Sequence, residues 1–168
     1  MSEQTPAPHN FKQIAYVVKD AYRAMDEWGR LAGVGPWSVR RLNNRTLEDF
    51  EIDGVRITEE FEYICGVAWA GNVELEIIEP VRGPNIFWDF LERHGEGLHH
   101  IKNVMPTSEL PAELARYAGL GCAVLESGRV EDDLHYFLDT ERLLGFILEL
   151  GNQTKLTPAP EIYQTTRD

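Results

Sequence analysis

The sequence repeats one order of predicted secondary structure, and this repeat limits the possible folds more than any other feature. Residues 11–79 predict a strand, a helix and three further strands, with a polar excursion at 43–59 after the second strand. Residues 98–150 predict the same order again. Aligning 73–78 with 146–151 places one glutamate at the same position inside each closing apolar strand. The chain is therefore predicted to contain two similar modules.

The repeat divides the chain into five segments that together form one domain. These are a disordered leader (1–10), a first module (11–82), a linking helix and loop (83–97), a second module (98–151) and a C-terminal tail (152–168). A chain of 168 residues can bury a core without a disulfide or a structural metal. Cys65 and Cys122 stand in separate apolar runs, so we expect both to be buried free thiols.

The charge balance excludes several classes of partner. Asp and Glu number 28 against 16 Lys and Arg, which gives a formal net charge of −12. Nucleic acids and anionic membranes are bound through clustered basic residues, so neither is an expected partner. The sequence shows no signal peptide and no apolar run of the roughly 18 residues that a bilayer span requires. A cytoplasmic protein is predicted.

Four polar residues interrupt strands that otherwise look like core: Gln13, Glu76, His100 and Glu149. Ionised carboxylates are rarely buried unless they are paired or bound to a metal. Each module supplies one neutral residue from its first strand and one carboxylate from its last, and a pseudo-twofold axis would bring all four together. Such nitrogen and oxygen donors suit one divalent ion, namely zinc, nickel, cobalt, manganese or magnesium. Each residue alone could equally be an ordinary polar group at a strand edge.

Three stretches resemble the vicinal oxygen chelate superfamily, in particular its methylmalonyl-CoA epimerases and glyoxalase I-like proteins. They are Gly-Glu-Gly-Leu-His-His-Ile at 95–101, Leu-Glu-Ile-Ile-Glu-Pro at 75–80, and the closing hairpin formed by 137–140 and 145–150. The resemblance implies an α+β fold of two βαβββ modules, which form an open barrel around a metal-binding cavity. It also implies a homodimer. Gln13, Glu76, His100 and Glu149 fall at the family's metal-ligand positions.

Two neighbours of His100 need separate treatment. We expect His99 to point to the opposite face of the strand, because side chains alternate along a strand. Lys102 departs from the family, which often has a small residue there, and by alternation it shares the face of His100. A nearby cation would lower the pKa of Lys102, which could then act as an acid or base, or could anchor a substrate carboxylate. Alternatively, its stem crosses the barrel rim and its amine reaches water.

The resemblance and the donor set favour a metal-dependent isomerase or epimerase that removes a proton next to a carbonyl through a metal-stabilised enolate. Glu149 is the first candidate base, with Glu76 or Lys102 as the acid on the other face. A lyase, dehydratase or ring-opening enzyme on the same scaffold is one alternative. A metal-free small-molecule binding protein of the resistance type is another.

The substrate itself is left open by the sequence. A small carbonyl compound is expected, either a thioester or a polyketide-like molecule. The residues expected to bind it are Arg40, Trp37 and Tyr136.

Overall fold

The structure, a computed structural model, describes residues 9–154, 156–157, 159 and 161–165. Within them the strands are β1 (Phe11–Val17), β2 (Trp37–Asn43), β3 (Glu48–Ile52), β4 (Val55–Arg56), β5 (Glu62–Ala70), β6 (Val73–Arg82), β7 (Gly97–Val104), β8 (Val124–Val130), β9 (Asp133–Leu138), β10 (Ile147–Gly151) and β11 (Glu161–Tyr163). The helices are α1 (Ala21–Ala32), α2 (Ile86–His94), α3 (Leu110–Gly119) and α4 (Glu141–Leu144). Residues 1–8 of the predicted leader lie outside the described part.

All the strands join one open sheet in the order β11-β2-β5-β6-β1-β7-β10-β9-β8-β3-β4. The first strands of the two modules, β1 and β7, are antiparallel neighbours at its centre. Each of them pairs in parallel with the closing strand of its own module, β6 or β10. The predicted α+β class with two repeated modules is therefore confirmed.

The strand registers define a pseudo-twofold axis at the pair formed by Ile14 and Ile101. Rotation about this axis superimposes the β1–β6 pair on the β7–β10 pair and the β5–β6 pair on the β9–β10 pair. The equivalent positions are Gln13 and His100, Ala15 and Lys102, Glu76 and Glu149, Cys65 and His135, and Ile78 and Gly151. The alignment of the two modules made from sequence has the same register.

The helices cover the convex face of the sheet and one end of the barrel. Helix α1 begins at an Asp20 cap whose carboxylate accepts a hydrogen bond from the Arg23 amide at 2.9 Å, and it ends where Gly33 adopts a left-handed conformation. It packs over the first module, and α3 lies over the second. Helix α2 contributes Phe87 to the aromatic core on the concave side.

Two segments extend the sheet beyond the repeated strands. The polar excursion predicted at 43–59 contains β3 and β4, and β3 pairs with β8 of the second module. At the opposite end the tail forms β11 on the outer edge of β2. Each end of the sheet is thus completed by a segment from outside the module that it borders. Within the described residues no helix is long and apolar enough to cross a membrane.

Candidate active site

The concave face of the sheet encloses a cavity of about 380 Å³. Its polar wall includes Gln13, Glu74, Glu76, Lys102, Asp133 and Glu149. Aromatic side chains, Phe87 and Phe137 among them, form an apolar wall beside these groups, and the tail residues Leu156 and Thr157 lie at the cavity as well. The cavity thus combines a charged wall with an apolar one, as small-molecule sites commonly do.

The ladder of the four central strands explains why so many polar groups meet here. Glu74, Gln13, Lys102 and Glu149 are consecutive partners across β6, β1, β7 and β10, so they form one row on the concave face. Side chains two positions away along each strand point to the same face and form a second row. In this row Glu76, Ala15 and His100 are neighbours. These two rows therefore supply most of the polar wall, and Asp133 is added to it from β9.

His100 lies at the centre of this arrangement and is completely buried. Its Nε2 atom is 3.2 Å from Glu76 Oε2 and 3.1 Å from Glu149 Oε2. Burial alone would lower the pKa of His100, but the carboxylates of Glu149 and Glu76 outweigh burial and raise this pKa to about 9. Without a bound ion, the imidazole therefore carries a proton between two carboxylates.

The other oxygen of each carboxylate is held by a different donor. Cys65 Sγ donates to Glu76 Oε1 at 2.8 Å, whereas Lys102 Nζ lies 3.0 Å from Glu149 Oε1. In both halves Oε1 is engaged and Oε2 is turned toward His100. The carboxylate positions are therefore equivalent in the two modules, while the groups that fix them differ.

Gln13, the fourth predicted ligand, is turned away from this centre. Its Nε2 atom donates to Glu74 Oε1 at 2.5 Å. Glu74 is buried, and its burial together with the neighbouring Glu76 raises its pKa to about 7 against the opposing effect of this hydrogen bond. The structure therefore brings together three of the four predicted ligands and pairs the fourth with a carboxylate that lines the cavity.

Whether these residues suit a metal can be judged from the atoms themselves. Within the described ranges, no three His, Cys, Asp or Glu side chains already stand in the arrangement of an occupied metal site. However, the buried His100 Nε2 has no hydrogen bond of acceptable geometry, although two carboxylate oxygens flank it. Neighbouring ligand atoms on an octahedral ion with bonds of about 2.1 Å are roughly 3.0 Å apart. The donor types and spacing of Glu76, His100 and Glu149 therefore fit a divalent ion after a small adjustment.

Lys102 differs from both sequence-based interpretations. Its ammonium group is buried, and it contacts Asp133 as well as Glu149. Burial would lower the pKa of Lys102, but these two carboxylates outweigh it and raise the pKa above its ordinary value. Without a bound ion this pKa is therefore raised, and the lowering expected beside a cation stays a prediction. The alternative in which the amine reaches water is wrong.

Glu149 is the most acidic carboxyl of the group. Burial would raise its pKa, but Lys102 and then His100 outweigh that effect and lower the pKa to about 2. A carboxylate with so low a pKa is a weak proton acceptor at neutral pH. Its surroundings thus favour a role for Glu149 in binding a cation over the predicted role as base.

The expected direction of His99 is also wrong. Ala15 pairs with His100 and Tyr16 with Leu98, so His99 is the extra residue of a β-bulge. The bulge breaks the alternation, and the rings of His99 and His100 both pack against Phe137, with their Nδ1 atoms 2.8 Å apart. Burial and then His100 lower the pKa of His99 well below its usual range, so this imidazole is neutral.

Of the three predicted substrate-binding residues, only Arg40 lines the cavity. Its guanidinium lies 3.5 Å from Glu131, whose carboxylate also accepts a hydrogen bond from the tail residue Thr157. Trp37 is buried under α1 on the convex face, and Tyr136 packs in the core beneath α3. Both predictions fail because these side chains have the opposite strand phase to the cavity residues.

Three residues of the cavity were not predicted from the sequence as functional candidates: Glu74, Asp133 and His135. Asp133, His135 and Phe137 alternate along β9 and all line the cavity. His135 Nε2 is buried without a hydrogen-bond partner, and burial lowers its pKa to about 4, so the ring is neutral. The period-2 pattern was the available signal, since it puts these residues on one face. Glu74 shares the face of Glu76 for the same reason.

A further carboxyl lies at the end of the ladder row, beyond Phe137. Glu126 is fully buried, and burial raises its pKa to about 8. Its Oε2 atom accepts a hydrogen bond from the Ile86 amide at the start of α2, while Oε1 has no partner. At neutral pH this side chain is mostly the uncharged acid.

Solved structures share this fold at low sequence identity. Methylmalonyl-CoA epimerase in complex with methylmalonyl-CoA and NH4+ has a TM-score of 0.63 and 17% identity, over 92% of this chain and 100% of the other. Methylmalonyl-CoA epimerase from Mycobacterium tuberculosis has a TM-score of 0.61 and 13% identity, over 86% and 88%. A hypothetical protein from Bacillus halodurans has a TM-score of 0.60 and 14% identity, over 90% and 99%. These likenesses show the fold.

The sequence comparisons give a family but no individual relative. No curated protein matches the sequence. Residues 12–138 match the family described as the glyoxalase, bleomycin resistance protein and dioxygenase superfamily, a range that covers most of the chain and reaches from the first module through β9 of the second. The repeated strand order and the central pairing of the two modules agree with that match. The chain therefore belongs to the glyoxalase/bleomycin resistance protein/dioxygenase superfamily, the vicinal oxygen chelate family that the sequence motifs resemble.

Proposed function

We propose that this protein is an isomerase of the epimerase type, which removes a proton from the carbon next to a carbonyl or thioester group and returns it. The observation that carries the proposal is the convergence of His100 Nε2, Glu76 Oε2 and Glu149 Oε2 in a cavity of about 380 Å³. The shared fold with methylmalonyl-CoA epimerases supports the same reaction class. Fold alone does not determine a reaction, so the proposal depends on the site.

Glu76, His100 and Glu149 are the residues that would hold one divalent ion. When bound, such an ion supplies a Lewis acid for the substrate carbonyl, which acidifies the neighbouring C–H bond. His100 would give up its proton to act as a ligand. Cys65 and Lys102 keep each carboxylate oriented by holding its Oε1 atom.

Proton transfer needs carboxylates that reach the substrate. Glu74 and Glu149 lie at the two ends of one ladder row, with Gln13 and Lys102 between them. Gln13 holds one oxygen of Glu74, so the carboxylate has a fixed orientation at the cavity wall. We assign proton transfer on one side of the substrate to Glu74. On the other side Glu76 is the remaining candidate of those that the sequence indicated, because the low pKa of Glu149 and the raised pKa of Lys102 disfavour proton transfer by these two groups.

The substrate is proposed to be a small carbonyl compound or a thioester. The apolar wall, which includes Phe87 and Phe137, would contact its carbon skeleton, and Arg40 would meet a polar group at the side where the tail crosses. One structurally similar epimerase was solved with methylmalonyl-CoA, which makes thioesters the first compounds to test. The homodimer stays a prediction.

The test combines metal analysis with solvent deuterium exchange, monitored by NMR, into a panel of thioesters and other carbonyl compounds. Wild-type protein should contain one divalent ion per chain and should exchange the α-proton of at least one compound. Glu149→Gln should lower the exchange rate by roughly 100-fold to 1,000-fold and reduce the metal content, since it removes an anionic ligand. Glu59→Gln, at an exposed position, is the matched control and should behave like wild type.

Three results would contradict this proposal. Exchange that survives complete removal of metal by a chelator would exclude the assigned role of the ion. Bound metal without exchange in any compound would instead favour the lyase or dehydratase alternative on the same scaffold. If ligand binding occurs with neither metal nor exchange, the protein belongs to the metal-free binding class.

A further inference from the structure

Lys102 is the largest departure from the twofold symmetry of the site. The equivalent position in the first module is Ala15, which is buried and small. The stem of Lys102 passes over Gly151, where an added Cβ would come within 3.0 Å of Nζ and 2.8 Å of the backbone oxygen of Leu134. The equivalent of Gly151 in the first module is Ile78, a buried residue with a branched side chain where the second module has none. Only the second half has a slot that a lysine can occupy.

The ammonium group acts on the same carboxylate that faces His100. Lys102 Nζ lies 3.0 Å from Glu149 Oε1 and 2.9 Å from Asp133 Oδ2. Glu149 therefore has one oxygen on the ammonium group and the other toward the proposed ion. In the first module the corresponding donor is the uncharged thiol of Cys65. One carboxylate is thus partly neutralised by a fixed positive charge and the other is not.

We propose that Lys102 is a positioning residue that acts as a built-in competitor of the divalent ion, fixing Glu149 while holding down the metal affinity of the site. The inference rests on the metal proposed above. Two positive charges that share one carboxylate repel each other, and inside a protein this repulsion is weakly screened. The same donors with a small neutral residue at position 102 would bind a divalent ion more tightly.

Asp133 provides an opposite prediction. Its carboxylate shares the Lys102 ammonium group with Glu149, so it offsets part of the positive charge near the site. Removing Lys102 should raise the metal affinity, whereas neutralising Asp133 leaves the ammonium group with Glu149 alone and should lower it. A purely structural role for the ion pair predicts that both substitutions change the affinity in the same direction.

The experiment measures Mn²⁺ binding to metal-free full-length protein by electron paramagnetic resonance of the free ion. Lys102→Met should bind Mn²⁺ at least tenfold more tightly than wild type, and Asp133→Asn should bind it several-fold more weakly. Lys19→Met removes an exposed lysine and should leave the affinity unchanged. Because Lys102→Met leaves two carboxylates without their cation, circular dichroism must first show that the variant is folded. The double variant Lys102→Met/Asp133→Asn removes the pair together and should also bind more tightly than wild type.

The inference would be overturned if Lys102→Met and the double variant bind Mn²⁺ no more tightly than wild type. A metal-dependent function would remain intact. Absence of Mn²⁺ binding by every variant would overturn it as well. Deuterium exchange by metal-free wild type would then show whether the proposed reaction also fails or needs no ion.

Discussion

Ala15 and Cys65 stand in the first half of the barrel at the positions that Lys102 and His135 occupy in the second. The carboxylates that flank His100 are equivalent in the two halves, yet the neighbours are small and uncharged on one side, whereas the other side has the Lys102 ammonium group and a neutral imidazole. This difference shows that the repeat preserves the donor geometry while each half sets its own electrostatic environment. A substrate in the cavity therefore meets two chemically different sides.

The largest expected effect is a loss of stability when the first half is given a lysine like that of the second. Ala15→Lys would put a lysine in the first half, where Ile78 leaves no slot for its stem. Overpacking against Ile78 and the burial of an added charge should together lower the free energy of unfolding by more than about 4 kcal/mol. Urea denaturation measures the loss, with Ala32→Lys at an exposed helix position as control. A stable Ala15→Lys protein would refute the claim that only the second half can accommodate a lysine.

A second prediction concerns Glu126, which pairs with Phe137 at the position where the first module has Ser38 paired with Val67. Burial raises the folded pKa of Glu126 to about 8, so folding takes up a proton between the ordinary pKa of 4.5 and about 8. Stability of the wild type must therefore fall as pH rises through that window. Glu126→Gln lacks this linkage and should gain roughly 2–4 kcal/mol relative to wild type between pH 4.5 and 8.

Urea denaturation at several pH values tests the Glu126 prediction. Glu92→Gln, an exposed carboxyl on α2, should follow the wild-type pH dependence. If Glu126→Gln and wild type keep a constant difference in unfolding free energy from pH 4.5 to 8, the carboxyl is not held neutral by burial.

The smallest effect, on Mn²⁺ affinity, is expected from changing Cys65, the uncharged hydrogen-bond donor of the first half. Cys65→Ala removes the hydrogen bond to Glu76 Oε1 and should weaken Mn²⁺ binding by up to about tenfold, equivalent to about 1.4 kcal/mol. Cys65→Ser can still donate and should recover most of the affinity. Cys122→Ala, another buried thiol, is the control, and an equal loss there would mean that the effect is not specific to Glu76.

The repeated modules could be predicted from sequence because each module must bury one face of its strands and therefore carries a period-2 pattern. The twofold relation then placed Glu76, His100 and Glu149 together without any structural information. Side-chain period and repeat register are local properties, and they survive folding. The excursion at 43–59 was predicted without strands because β3 gains its order from β8 in the other module.

Other parts of the site depend on interactions that periodicity cannot show. The bulge at His99 breaks the alternation by one residue, and nothing in the local sequence marks it. Glu149 and then Asp133 raise the pKa of Lys102 against the effect of burial, and both carboxylates come from strands far from β7 in the chain. Trp37 and Tyr136 alternate with polar residues of their strands, such as Ser38 in β2 and His135 in β9, but the alternation alone does not tell which of the two faces lines the cavity.

The two short outer strands affect how readily the edges of the sheet pair with strands of other molecules. An open sheet exposes unpaired backbone groups at both edges, and such edges can recruit strands from other molecules. Three residues of β11 cover the long β2 edge, and at the other end the sheet finishes in the two residues of β4, which include Arg56. A short or charged last strand is a poor template for further pairing. The excursion and the tail thus place a poor pairing partner at each edge of the open sheet, which disfavours edge-to-edge strand pairing between molecules.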